Sequence, residues 1–330
     1  VFLVLLAILV LLGISGGLAW RDFQRFLDTP LEMPPGGYVY HLESGTPGQS
    51  IVRQLAAQGL TRPGWQWKLL MRMEPALYRA GEYRLEPGLL PRELLAMLAR
   101  GDVIDYRFTL VEGWTFGQLV DALARDPVLR KTIDFGSAYD WDAGTLFEDM
   151  GHPEGWFLPE TYVVTRGDSD RDILERAHAA MRTELEEAWQ GRDTGLPLAS
   201  PYELLILASI IEKETALDAE RERIAGVFKR RLEMGMRLQT DPTVIYGLGA
   251  SFDGDIRRRD LTRDTPYNTY TRHGLPPTPI ALPGKASLRA AAHPAEGEEL
   301  FFVADGKGGH TFSRTLEEHR AAVDTLLGRN

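Results

Sequence analysis

Two glutamates close an apolar run. Leu204 to Ile211 is apolar apart from Ser209, and Glu212, Lys213 and Glu214 follow without a break. The run opens on a strong helix start: Ser200 is a good N-cap, Pro201 suits the first helical position, and Glu203 completes a capping box. A helix that is apolar nearly all round is a core helix. Glu212 lies one turn after Ala208 and two after Leu205, so it shares their face and should emerge at the end of a buried rod. Partial burial and the negative carbonyl end of the helix would both favour the protonated carboxyl. An acid that keeps its proton near neutral pH is a general acid awaiting a leaving group. Lys213 points about 100° away around the helix, and Glu214 points to the other side, where a structural place is expected. The plainer reading is that Glu-Lys-Glu marks where a helix surfaces, and spacing by itself favours it.

The residues that follow bear on the choice. A second helix is expected from about Asp218 to Glu233, ended by Gly235. "RLQTDPTVIYG" reads as an extended, hydroxyl-rich segment with Gln239, Thr240, Asp241, Thr243 and Tyr246, in which Asp241-Pro242 is a turn-forming pair. "TPYNTYTRHGLPPTPIALPG" has neither helical nor strand period and carries Tyr267, Asn268, Tyr270 and His273. Long irregular loops in compact domains are uncommon and often functional. Amides, hydroxyls and flat rings suit a sugar groove, since they bond hydroxyls and stack on pyranose faces; phosphate sites want Lys, Arg and helix N-termini. The alternative is a structural loop pinned by prolines, with its tyrosines as packing. Asp241, if opposite Glu212, would allow a two-carboxylate hydrolase; its turn-forming setting favours a structural or sugar-orienting place. "DGKGGH" at Asp305 to His310 lacks the Walker spacing and reads as a hairpin turn, and no H-E-x-x-H supports a metalloprotease.

These groups need a frame, and the chain has 330 residues for it, enough for two or three folded units. With 44% hydrophobic and 25% charged residues the composition is globular. Acids outnumber bases 47 to 37, which argues against a nucleic-acid partner. There is no cysteine, which excludes disulfides, thiol catalysis and zinc–thiolate sites.

Residues 1–20 carry no charge and would span about 30 Å as a helix, one hydrocarbon core, with Trp20 placed as an interfacial aromatic. A cleaved secretory signal is the rival, with small residues at Gly17-Leu18-Ala19; the length of the apolar run favours the anchor. Residues 21–37 read as a tether that Pro34-Pro35-Gly36-Gly37 keeps irregular. Residues 38–102 give strand, helix, helix, strand and a further helix closed by Gly101, a pattern similar to LysM modules, which bind N-acetylglucosamine polymers; a structural unit without a ligand fits the pattern equally. Residues 103–330 mix strands and helices without βαβ alternation, so the fold class is α+β.

"ASIIEKE", "ERIAGVFKRRLEMGMRLQTDPTVIYGLG", "YNTY", "GLPPTPI", "AAAHP" and "FFVADGKGGHTF" stand in the same order as in the MltG, or YceG-like, endolytic lytic transglycosylases, which the chain resembles from about Tyr38 to its C-terminus. The resemblance implies a single-pass inner-membrane protein with a LysM-like region and a periplasmic catalytic domain. It implies nascent peptidoglycan as substrate and synthases of the elongation machinery as partners. The β-1,4 bond between N-acetylmuramic acid (MurNAc) and N-acetylglucosamine (GlcNAc) would be cut without water to leave 1,6-anhydroMurNAc, ending strand growth, with no metal or cofactor. The family's catalytic glutamate falls on Glu212. Substrate contacts are expected from Gln239, Thr240, Asp241, Tyr246, Asn268 and Tyr270. Two other accounts stay open: a tethered peptidoglycan-binding module without chemistry, and a muramidase using Glu212 and Asp241.

Overall fold

The computed structural model describes residues 2–136 and 151–328, which divide into two compact units. The first holds residues 1–106 and takes back 128–130 and 163–168; the second holds the remainder, so the change of unit falls a few residues beyond the expected boundary at 103 and the later chain returns to the first unit twice.

The first unit begins with α1 (Phe2–Asp28), which is long and apolar enough to cross a membrane and whose apolar stretch is wholly exposed. The expected tether at 21–37 is corrected here. The helix runs on to Asp28, and Phe23, Leu27 and Leu31 are buried in the core of the unit. Phe23 and Leu27 are four apart, so they share the helix face that packs inward. β1 (Tyr38–Leu42), α2 (Gly48–Ala57), α3 (Trp65–Met73), β2 (Gly81–Leu85) and α4 (Pro91–Arg100) follow in the expected order. β1 and β2 are antiparallel with Tyr40 opposite Tyr83, and both rings are buried with Ile51, Leu55, Trp67, Leu94 and Leu98. Gly101 ends α4 at φ 78, a left-handed conformation that glycine adopts without strain.

β3 (Tyr106–Thr109) and β4 (Thr161–Val164) form a second two-stranded ribbon. Between them lies α5 (Phe116–Arg125), whose N-cap Thr115 exchanges hydrogen bonds with Gln118 in a capping box. α6 (Asp170–Gly191) starts the same way, from Ser169 and Asp172.

The second unit is built around α7 (Pro201–Glu214), every residue of which from Leu204 to Ile211 is buried. Ser200 accepts from the Glu203 amide as an N-cap, but the Glu203 carboxylate bonds the Ala199 amide, one residue before a capping box would place it. Ser209, the polar interruption, is satisfied on both sides: its hydroxyl donates to the Ile206 carbonyl at 2.7 Å and accepts from the Ile280 amide at 3.0 Å. It therefore ties the core helix to the irregular segment after Pro276.

α8 (Asp218–Glu233) packs on α7 through Ile224, Ala225 and Phe228. Glycine inside a helix costs about 1 kcal/mol against alanine, and Gly226 has a packing reason: a Cβ there would overlap the Ala295 carbonyl oxygen. Gly226→Ala is therefore expected to lose about 1–3 kcal/mol in urea unfolding, where helix propensity alone would give a gain.

The segment expected to be extended after Arg237 is a helix, α9 (Asp241–Leu248). Asp241-Pro242 opens it because proline suits the first helical turn, where its missing N–H costs nothing. A short helix, α10 (Arg258–Thr262), precedes the irregular stretch from Thr265 to Gly284, and α11 (Lys285–Ala292) follows it and packs on α7. β5 (Phe301–Ala304) and β6 (His310–Ser313) make the expected hairpin, its turn held by Asp305, which accepts from the Lys307 and Gly309 amides. α12 (Leu316–Leu326) closes the chain. Mixed α+β is thus the observed class.

Candidate active site

Glu212 stands where α7 surfaces: Ile211 is fully buried and Glu212 partly exposed. Its Oε2 accepts from the Gly284 amide at 2.9 Å and from the Ser287 hydroxyl at 2.7 Å. Gly284 is the N-cap of α11 and Ser287 lies in its first turn, so the carboxylate faces the positive end of that helix. Both recorded bonds fall on Oε2, so neither of them occupies Oε1. Lys213 leaves the same turn and donates to the Gly113 carbonyl at 3.1 Å.

A second carboxyl lies beside the first. Glu112 sits in the turn between β3 and α5, and a Cβ on Gly284 would fall 2.5 Å from its carboxyl carbon. The turn is fixed by paired backbone bonds: Gly113 donates to Leu282 at 2.9 Å and Leu282 donates to Trp114 at 2.7 Å. Burial first, then the charge of Glu212, push the Glu112 carboxyl above its ordinary range, while Arg221 of α8 pulls it down.

Two further carboxyls of this unit are held in buried settings. Glu154 is 3% exposed and accepts from the Phe116 amide at 2.8 Å and the Tyr246 hydroxyl at 3.0 Å. Burial raises it to about 7, against the pull of these bonds and of Lys213. Glu214 accepts from the Thr240 hydroxyl and is raised to about 7 by burial, with the charge of Asp241 adding to the effect and His310 and Arg231 opposing it.

A folded-state pKa above the unfolded value means that the native state holds the proton longer. Stability from Glu154 is therefore greatest below about pH 4.5 and falls as pH rises towards about 7. The full span is worth roughly 3 kcal/mol. Glu154→Gln should lessen this slope, read as urea midpoints at acid and alkaline pH, and leave the part that Glu214, raised to about 7 as well, contributes; an unchanged slope would place the titration elsewhere.

The six expected substrate contacts are distributed differently. Thr240 and Asn268 are 2% and 1% exposed. Asn268 donates to the carbonyls of Asp260, Leu261 and Arg263 and accepts from the Tyr270 amide, so its polar atoms clamp the loop. Tyr246 is turned to Glu154 and packs edge-on against Tyr267 at 4.9 Å. Tyr270 donates to Asp241 at 2.6 Å, which groups that pair with Glu214 and Thr240. Gln239 is exposed and holds φ 48, a left-handed value uncommon outside glycine.

Glu112, Glu154, Gly284 and Ser287 were not singled out by sequence. One signal for the first two was present. Glu-Gly-Trp occurs at Glu112 to Trp114 and again at Glu154 to Trp156, and both glycines turn the chain at positive φ.

Two grooves lie apart from Glu212. One, of about 490 Å³, is in the first unit and includes Arg53, Lys68, Arg72 and Tyr78 in its lining. The other, of about 410 Å³, is lined by Tyr202, Leu232 and the Gly274–Pro277 turn. Glu212 lines neither of them.

Fold and site together define an α+β chain with an apolar N-terminal helix and a carboxylate centre at the end of its core helix. The chain belongs to the YceG-like family, whose model matches residues 40–325. It is 32% identical over 266 residues to an endolytic murein transglycosylase of Bacillus subtilis (strain 168), covering 76% of this chain and 73% of that protein. It is 27% identical to an endolytic murein transglycosylase of Streptococcus pneumoniae (strain D39), covering 96% of this chain; the chain spans 63% of that protein's length. Among solved structures, a yceG-like protein from Listeria monocytogenes matches with a TM-score of 0.54 and 28% identity, covering 87% of this chain and 99% of that one.

Proposed function

We propose that the chain is a murein transglycosylase that cuts glycan strands internally and without water, with Glu212 as its acid–base group. The observation that carries this is the setting of Glu212: a carboxylate at the surfacing end of a buried helix, held through one oxygen by Gly284 and Ser287. Fixed orientation of a proton donor is what protonation of a glycosidic oxygen needs.

In this reading Glu212 protonates the glycosidic oxygen of the β-1,4 bond between MurNAc and GlcNAc. The C6 hydroxyl of the same muramic sugar closes onto C1 and gives up its proton, leaving a 1,6-anhydro end. The substrate supplies the nucleophile, so no activated water is required. Gln239 and Asp241, both exposed, and Tyr270, which donates to Asp241, would be the polar groups that touch the strand. The first unit, with its LysM-like order of elements and basic groove, would hold glycan as well. α1 would anchor the protein in the inner membrane with both units in the periplasm, beside the synthases of strand elongation.

The test is incubation of the full chain in detergent with uncrosslinked glycan strands. New internal ends one water lighter than reducing muramic acid support the reading. Strands that bind and stay intact would make the protein a tethered glycan-binding module.

A further inference from the structure

We propose that the first unit lies against the membrane that holds α1, with Trp65, Lys68 and Arg72 of α3 and Arg53 of α2 set on anionic phospholipid headgroups. This rests on the reading of α1 as a membrane anchor.

Packing fixes the unit at that level. Residues 2–20 of α1 carry no charge, and Phe23 and Leu27, on the next two turns, are buried in the core of the unit. The helix passes from its apolar stretch into that core without a break, so crossing the bilayer brings the unit to its surface. The start of α3 is held at the same place. The Phe23 ring lies 5.8 Å from Trp20 and 6.1 Å from Trp65, and Gln66 donates to Asp22 at 2.7 Å. Trp20 and Trp65 are 54% and 45% exposed. Two elements thus bring two open indoles together where the charged chain begins, the level at which indoles sit in a membrane interface.

The rest of α3 continues this face. Lys68 and Arg72 follow Trp65 on the same side of the helix, about 5 and 10 Å along it. Both are exposed, as is Arg53, and the three line the groove of about 490 Å³, to which no carboxylate contributes. Ion pairs of the unit engage Arg62, Arg92, Arg100 and Arg166, and none of these three among the described residues. Glu74, the nearest acid in sequence, is taken by Arg92 at 2.8 Å. Met73 and Leu77, at and beyond the end of α3, are 49% and 91% exposed. Gln49, Ser50 and Tyr78 of the groove suffice for sugar hydroxyls; its cations are what a headgroup phosphate asks for. The chain carries a net charge of -10, so an anionic surface attracts it only where cations are gathered. Indole, cations and open apolar side chains on one face make a segment that lies in a membrane surface.

The chain has no cysteine, so one introduced cysteine places one spin label. The full chain, labelled at Leu77→Cys or at Leu9→Cys, is reconstituted in vesicles of phosphatidylcholine or of phosphatidylcholine containing phosphatidylglycerol. Collision with a water-soluble nickel complex and with oxygen then reads the depth of each label. The Leu9→Cys label should lie in the bilayer of both vesicles. The Leu77→Cys label should be withdrawn from water with phosphatidylglycerol and return to it in phosphatidylcholine alone. Neutralising Arg53, Lys68 and Arg72 to Gln should lower the docked-to-free ratio about fivefold for each cation. High salt on the otherwise unchanged chain should release the label too, which covers a variant that does not fold. A Leu77→Cys label in water in every vesicle, with Leu9→Cys in the bilayer, overturns the docking and leaves the anchor. Withdrawal that is equal without phosphatidylglycerol, or unmoved by both salt and neutralisation, overturns the part given to the cations. A Leu9→Cys label in water removes the anchor, and the docking with it.

Discussion

Glu212→Gln is expected to lower strand cleavage by about 10²–10⁴-fold, the range for loss of a general acid–base group, with fold and strand binding unchanged. Glutamine fills the same volume and keeps one carbonyl oxygen for the Gly284 amide and the Ser287 hydroxyl. The hydrophobic contacts that fix α7 end at Ile211, one residue earlier, so the substitution does not reach the core. What it removes is the proton. Activity should be read with strand affinity and urea midpoint on the same samples. A variant that cleaves within threefold of wild type moves the chemistry to another carboxyl, and a variant that loses affinity in step with rate makes Glu212 a binding group.

Asn268→Ala should be the costliest polar substitution in the irregular loop, at about 2–4 kcal/mol. The amide nitrogen serves three carbonyls within the stretch Asp260 to Arg263, and its oxygen holds the Tyr270 amide. Truncation leaves these groups without their partner in a site that is 1% exposed. The effect should appear in urea unfolding and in loss of the Tyr270–Asp241 bond that Asn268 orients. Unchanged stability together with weakened strand binding would return Asn268 to the role that its residue type first implied, a hydrogen-bonding partner of sugar hydroxyls.

The two readings of Asn268 show where the sequence speaks and where it does not. Amide and ring side chains in an irregular loop look the same whether they face a ligand or one another, because the distinction lies in partners eight to twenty-nine residues away, such as Asp260 and Asp241. Local signals were legible. Ser200-Pro201 set the start of α7, Gly235 follows α8, and the apolar run from Leu204 to Ile211 marked the core. Helix geometry puts Glu212 at the end of the buried face, and the family resemblance, not spacing, is what sets it apart from an ordinary surfacing helix end.

Two local signals carry more than one meaning. Asp241-Pro242 serves a turn or a first helical turn, and only the residues that follow decide between them. The Pro-Pro-Gly-Gly run marks irregular chain only from Pro34, whereas Phe23 and Leu27, four apart, describe an inward helix face before it. Glu112 and Ser287 were out of reach for another reason: one comes a hundred residues before Glu212 and the other seventy-five after it, and contacts of that range carry no local period.

The central claim is that the cut adds no water. It is tested most directly by running the reaction in heavy-oxygen water and analysing the new muramic ends by mass. The account predicts anhydro ends with no label from solvent, and no such ends with Glu212→Gln. One heavy oxygen in each new reducing end would contradict it and show a hydrolase.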